Sequence, residues 1–179
     1  VRLYINHELA PNRGYPWTLE NGTQLQGARI SWFDIDKTTR QVRHAGNAIR
    51  EIRDRRGETV IEPAQVHERW DSNTNSGLTN LCSAQGYQRG TFGFGNDLLF
   101  THEEVTSRQN HPHGGSVWAL DVHSEILWAL PALGRGSWEN VAALQTPDQN
   151  ADEGHVALLL SDDFIYGGAP LYLWIGRKK

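Results

Sequence analysis

Short segments with strand periodicity recur along almost the whole chain, and this is the feature that most restricts its fold. VRLYINHE (1–8) puts Leu3 and Ile5 on one face, and ARISWFDID (28–36) does the same with Ile30 and Trp32. NDLLF (96–100), SVWALDV (116–122), EILWALP (125–131), HVALLLSDD (155–163) and PLYLWIG (170–176) are short, apolar and rich in β-branched or aromatic residues. Side chains along a strand point to opposite faces in turn, so such segments form half-buried or buried strands. The expected class is all-β.

Turn chemistry fixes how the strands connect. DKTT (36–39) reads as a hairpin turn joining SWFDI to RQVRHA, and DVHSE (121–125) joins two further strands. Neighbouring strands are therefore expected to pair antiparallel. One segment departs from this pattern: NAIREIRDRRG (47–57) has Ile49 and Ile52 three apart and Gly57 as a stop, which predicts a polar surface helix. Loops rich in Gly, Asn, Pro and Ser are expected at 9–27, 71–95, 106–115 and 145–154. Strand pairs recur roughly every 40 to 50 residues, each with aromatic residues, a spacing that fits β-propeller blades better than a sandwich. In 179 residues about three to four such blades fit, so the expectation is one domain over 1–179, an incomplete propeller or part of a larger one. A chain that opens at Val1 in a strand pattern and ends at Lys179 just after another reads as a mature or truncated piece of something longer.

Charge and composition exclude several functions. Net charge is −4, and Arg50, Arg53, Arg55 and Arg56 form the one marked basic cluster, so a phosphate-neutralising face for nucleic acid is not expected. No apolar run approaches the roughly 20 residues that cross a bilayer, and no signal peptide opens the chain. Cys82 is the single cysteine, which rules out an intramolecular disulfide and leaves a buried filler or a ligating thiol.

The informative pattern is where the acids fall. Glu8 follows LYINH, Glu103 and Glu104 follow LLFTH, Glu139 follows LGRGSW, and Asp162 and Asp163 follow VALLLS. Singly, each reads first as a solvated turn residue. In a propeller, however, inner strands run side by side around a channel, and acids at equivalent strand ends converge on it. Converging carboxylates repel one another unless cations neutralise them. Ca²⁺ takes six to eight oxygen ligands, whereas a thiolate in the same ring favours iron or zinc. His7 and His102 read as satisfied structural histidines. His111 and His113 in NHPHGG look like a metal pair without a third partner, and no His stands four residues after His102, as the HExxH zinc motif requires.

Taken in order, YINHE, LCSAQ, LLFTHEE, GGSVWALDV, LPALGRGSWENV and LLLSDD followed by PLYLWIG resemble the PhoX-type alkaline phosphatases and the secreted β-propeller proteins grouped with them. The resemblance spans nearly the whole chain. It implies a propeller with Fe³⁺ and several Ca²⁺ at its centre, located in the periplasm or outside the cell, that hydrolyses small phosphate monoesters. By motif, Glu8 matches a calcium-side ligand, Cys82 the iron-binding cysteine, Glu104 the last residue of a paired-glutamate signature, Glu139 a further glutamate, and Asp162 or Asp163 an aspartate pair. A multi-metal site of this kind neutralises the phosphate and activates a bound water, so no nucleophilic serine is required. Two departures stand out: GYQRGTFGFGND replaces the family's TPWGTW stretch, and Trp138 precedes Glu139 where the family has histidine. They leave a non-catalytic, calcium-binding secreted propeller with a structural or assembly role as the alternative. Exposed strand edges on a partial propeller call for cover by further sequence or by another copy.

Overall fold

The computed structural model describes residues 1–10, 13–66, 77–104, 114–163 and 168–178. His111 and His113 lie outside them. In chain order the strands are β1 (Arg2–His7), β2 (Trp17–Thr18), β3 (Gln24–Leu25), β4 (Arg29–Ile35), β5 (Val42–Asn47), β6 (Glu51–Arg53) and β7 (Leu81–Tyr87). They continue with β8 (Leu98–Glu103), β9 (Val117–Asp121), β10 (Ile126–Ala129), β11 (Trp138–Leu144), β12 (His155–Asp162) and β13 (Leu171–Arg177). The described helical structure is limited to single 3₁₀ turns at Pro63–Gln65 and Pro131–Leu133, and among the described residues no helix is long and apolar enough to cross a membrane.

Three main sheets form, in the orders β1-β4-β5, β6-β10-β9-β8-β7 and β11-β12-β13, with β2 and β3 as a small separate pair. None closes into a barrel. Pairing is antiparallel except between β6 and β10. The expected hairpins form for local reasons. Asp36 Oδ1 accepts the N–H groups of Thr38 and Thr39, each at 2.8 Å, closing the β4–β5 turn. Asp121 Oδ1 accepts those of His123 and Ser124 at 3.0 and 3.3 Å between β9 and β10.

The helix expected over 47–57 does not form. Asn47 ends β5, and Glu51–Arg53 is β6, paired parallel with β10 through Ile126↔Glu51 and Trp128↔Arg53. Ile49 and Ile52 are both buried in the core, and a lone helix would have presented them to one weak surface stripe. Gly57, at φ +80°, ends a tight turn in which Asp54 Oδ1 accepts the Arg56 and Glu58 N–H groups. The 71–95 loop also gives way in part, because 81–87 is the edge strand β7. β11 lies where no strand was expected.

The five-stranded sheet is the middle layer, and β9 shows how it works. Trp118 and Leu120 enter one core cluster with Ile30, Ile52, Leu81 and Leu127, while Val117 and Ala119 enter a second with Val141, Leu158 and Leu160. The first cluster joins the middle sheet to β1-β4-β5, and the second joins it to β11-β12-β13. The first strand of each outer sheet and the last of the middle one are edges that meet, with β7 in contact with both β1 and β11. Apolar side chains remain exposed on the two outer sheets, notably Leu171, Leu173 and Ile175 on β13 and Leu3 and Val42 on β1 and β5.

Candidate metal centre

The meeting of β1, β7 and β11 is where the strand-end acids collect. One donor atom each from Glu8, Cys82 and Glu104 lie within 4.8 Å of one another, and so do donors from Glu104, Glu139 and Asp163. Glu104 belongs to both groups. Five of the six expected ligands are therefore brought together. Asp162 is the exception: its Oδ1 accepts the Ser137 N–H at 3.1 Å, and burial pushes its pKa upward, with the neighbouring Asp163 adding to the effect.

Two β-bulges aim the side chains. In β7 the register shifts between Leu81 and Ala84, so the strand carries an extra residue where Cys82 and Ser83 stand. Both then reach β11: Cys82 Sγ donates to Glu139 Oε2 at 3.5 Å, and Ser83 Oγ lies 2.9 Å from the Glu139 carbonyl oxygen. The second bulge falls between Trp138 and Asn140 and leaves Glu139 as the unpaired residue. Bulges commonly re-aim side chains beside functional sites. β1 is held in place by Asn6, whose Nδ2 donates to the carbonyls of Cys82 (2.8 Å) and Ser83 (3.1 Å) and to Thr101 Oγ1 (2.6 Å).

The adjacent acids in THEE divide their labour. Glu103, wholly buried, turns into the protein, where Oε1 accepts the Thr79 N–H at 3.3 Å and Oε2 that of Ser116 at 3.1 Å. Glu104, one residue on, faces the cluster. His102 lies on the same side of β8 as Glu104 and supports the site from behind. Its Nδ1 donates to Trp138 O at 2.7 Å, and Nε2 lies 3.1 Å from Ser83 Oγ. His102 is thus the satisfied structural histidine the sequence suggested. Asn6 and Ser83 were not anticipated; the one available signal was that Asn6 stands two residues before Glu8 and so shares its side of the chain.

The electrostatics are those of a crowded anionic site. Burial, then the charge of Glu139 and, to a smaller extent, of Glu8 and Glu104, push the Cys82 thiol up to about 12. Burial, together with Glu139, Glu8 and Asp163, raises the Glu104 carboxyl, against a smaller opposing effect of the Cys82 hydrogen bond. Burial holds His102 down to about 4, so it is neutral at pH 7. Among the described residues, no basic side chain forms an ion pair with Glu8, Glu104, Glu139 or Asp163.

This donor set fits cations. Oxygen ligands sit about 2.3–2.6 Å from Ca²⁺, so two on one ion can be close to 5 Å apart, and the spacing within each group permits shared coordination. The all-oxygen group of Glu104, Glu139 and Asp163 suits a hard ion such as Ca²⁺. The group with the thiol suits a softer ion such as iron or zinc, which would hold Cys82 as a thiolate despite its raised pKa. No family model, curated protein or solved structure matches this chain.

Proposed function

We infer that Glu8, Cys82, Glu104, Glu139 and Asp163 form a cation-binding centre, and that the chain acts as a phosphomonoester hydrolase of the PhoX type. The observation that carries this reading is the pair of donor groups sharing Glu104 where three sheets meet. The adjoining edges β1, β7 and β11 support reading them as inner strands of successive propeller blades. On this reading Ca²⁺ occupies the oxygen-rich group and Fe³⁺ the thiol-bearing one, and the protein works in the periplasm or outside the cell.

Bound cations would neutralise the substrate phosphate and lower the pKa of an attacking water. The chain's own residues do the rest. Four carboxylates hold the cations, Cys82 adds a soft ligand, and Asn6 fixes β1 against β7 so that Glu8 stays in range. Ser83, which lies against the Glu139 carbonyl and His102, holds β7 against β11 on this reading.

One observation favours a second reading, a non-catalytic calcium-binding propeller. Glu8, Glu104 and Glu139 adjoin or lie on strands of three different sheets, so ions in the two donor groups, sharing Glu104, would also cross-link them. Metal analysis of the purified protein, with p-nitrophenyl phosphate turnover measured before and after chelation, separates the two. Turnover lost on chelation and in Glu104→Ala supports the hydrolase. Tightly bound calcium without turnover supports the structural reading, and neither metal nor turnover removes both.

A further inference from the structure

On the far side of β1 lies a second site of opposite character. His7, Arg29, Ser31 and Asn47 share one face of the β1-β4-β5 sheet, where the register pairs His7 with Arg29 and Ser31 with Asn47. With Tyr15 and Trp17 they line a pocket of about 300 Å³. Arg29 is only 6% exposed, yet its Nε and Nη1 are buried without a hydrogen-bond partner. Its guanidinium lies 4.0 Å from the centre of the Tyr15 ring. No described carboxylate pairs with it.

A second donor is also unused. Trp17 Nε1 is buried and has no partner. Gly14, at φ +72°, lets the chain pass close to the guanidinium, since a Cβ there would stand 3.2 Å from Arg29 Nη1. Buried arginines are normally paired, because an isolated buried charge is strongly unfavourable. Among the described residues the pairing partner is missing, while room for one is present.

We propose that this pocket binds a small oxyanion, a carboxylate or a phosphate, held by the Arg29 guanidinium and the Trp17 indole N–H. A planar guanidinium donates two parallel bonds to either group, which a lysine cannot do. Tyr15 covers one face of the cation and restricts the anion to its edge. Ser31 Oγ, 2.8 Å from His7 Nε2, adds a polar wall. The site is separate from the metal centre, because His7 and its pair Arg29 lie on the opposite face of the β1–β4 pair from Asn6.

The test follows the Trp17 indole N–H resonance, a reporter inside the pocket, during separate titrations with inorganic phosphate and with benzoate at constant ionic strength set by chloride. A saturable shift with phosphate assigns a phosphoryl ligand, and one with benzoate a carboxylate. In thermal unfolding, a hundredfold excess of the bound anion over its dissociation constant raises the midpoint by about 5–10 °C. Arg29→Leu abolishes both responses, and Arg29→Lys weakens the binding at least tenfold. A Trp17 resonance unmoved by either anion overturns the proposal, even if Arg29→Leu fails to fold. An anion response that survives in Arg29→Leu overturns it as well.

Discussion

The two faces of β1 carry opposite and separately uncompensated charge. On the Asn6 and Glu8 side, four carboxylates and a thiol crowd together with no described basic partner. On the His7 side, Arg29 is buried with no described acidic one. A single arginine placed among the acids would have relieved both, but the sheet separates them. The effect on neighbouring groups is correspondingly different. Among the acids, burial and like charge push Cys82 and Glu104 up, while across the strand burial and the Arg29 charge push His7 down. If both proposals hold, each face should gain stability from a ligand of the opposite sign, although the net charge of the chain is only −4.

The largest effect expected from breaking this contrast comes from Glu104, which belongs to both donor groups. A hundredfold excess of Ca²⁺ over its dissociation constant should raise the unfolding midpoint of the chelator-treated protein by about 5–10 °C. Glu104→Ala should remove that gain and leave the anion response at Arg29 intact. Loss of both responses in calorimetric scans would show that the two faces are not independent.

Acid should act next, through His102. Its folded pKa lies near 4, below the ordinary 6.5, so its contribution is fully present above 6.5 and is lost as pH falls through 4. That contribution is about 3 kcal/mol. Glu104 works in the opposite sense: with its folded pKa raised, its contribution is present in acid and is lost as pH rises through the folded value. Unfolding midpoints of chelated protein between pH 7 and pH 4 should fall in the wild type and fall less in His102→Asn.

Asn6→Ala should cost about 1–3 kcal/mol, because the carbonyls of Cys82 and Ser83 lose a donor. It should also weaken cation binding, as Glu8 is no longer held against β7. Denaturant titration with and without Ca²⁺ measures both. The smallest expected term is the coupling between faces. Asn6→Ala and Arg29→Leu share no partner, so their stability effects should add to within about 0.5 kcal/mol in a double-mutant cycle.

Much of the fold was legible because its signals are local. Asp36 and Asp121 close their hairpins with their own side chains, and the apolar runs of β8, β9 and β12 need no tertiary context to read as strands. Ile49 and Ile52 misled because both enter one core cluster from a loop and the short strand that follows it, so a spacing of three arises without a helix. β7 and β11 were missed for a common reason: each contains a bulge, which breaks the alternation that reveals a strand. The candidate site shows the same limit. That Glu8, Glu103, Glu104, Asp162 and Asp163 stand at strand ends is visible in the sequence, whereas Glu139, expected to follow a strand, opens β11; which of Glu103 and Glu104, or of Asp162 and Asp163, faces the cluster depends on strand parity and neighbouring backbone donors. Arg29 gave no signal at all, because a charged residue at the start of a strand usually reaches solvent.

The most direct measurement is a calorimetric titration of the chelator-treated protein with Ca²⁺ and with Fe³⁺, run beside Glu104→Ala and Cys82→Ser. The account predicts saturable binding of both ions, loss of both in Glu104→Ala, and selective loss of iron in Cys82→Ser. No saturable binding in the wild type, or iron binding unchanged without the Cys82 thiol, would contradict it.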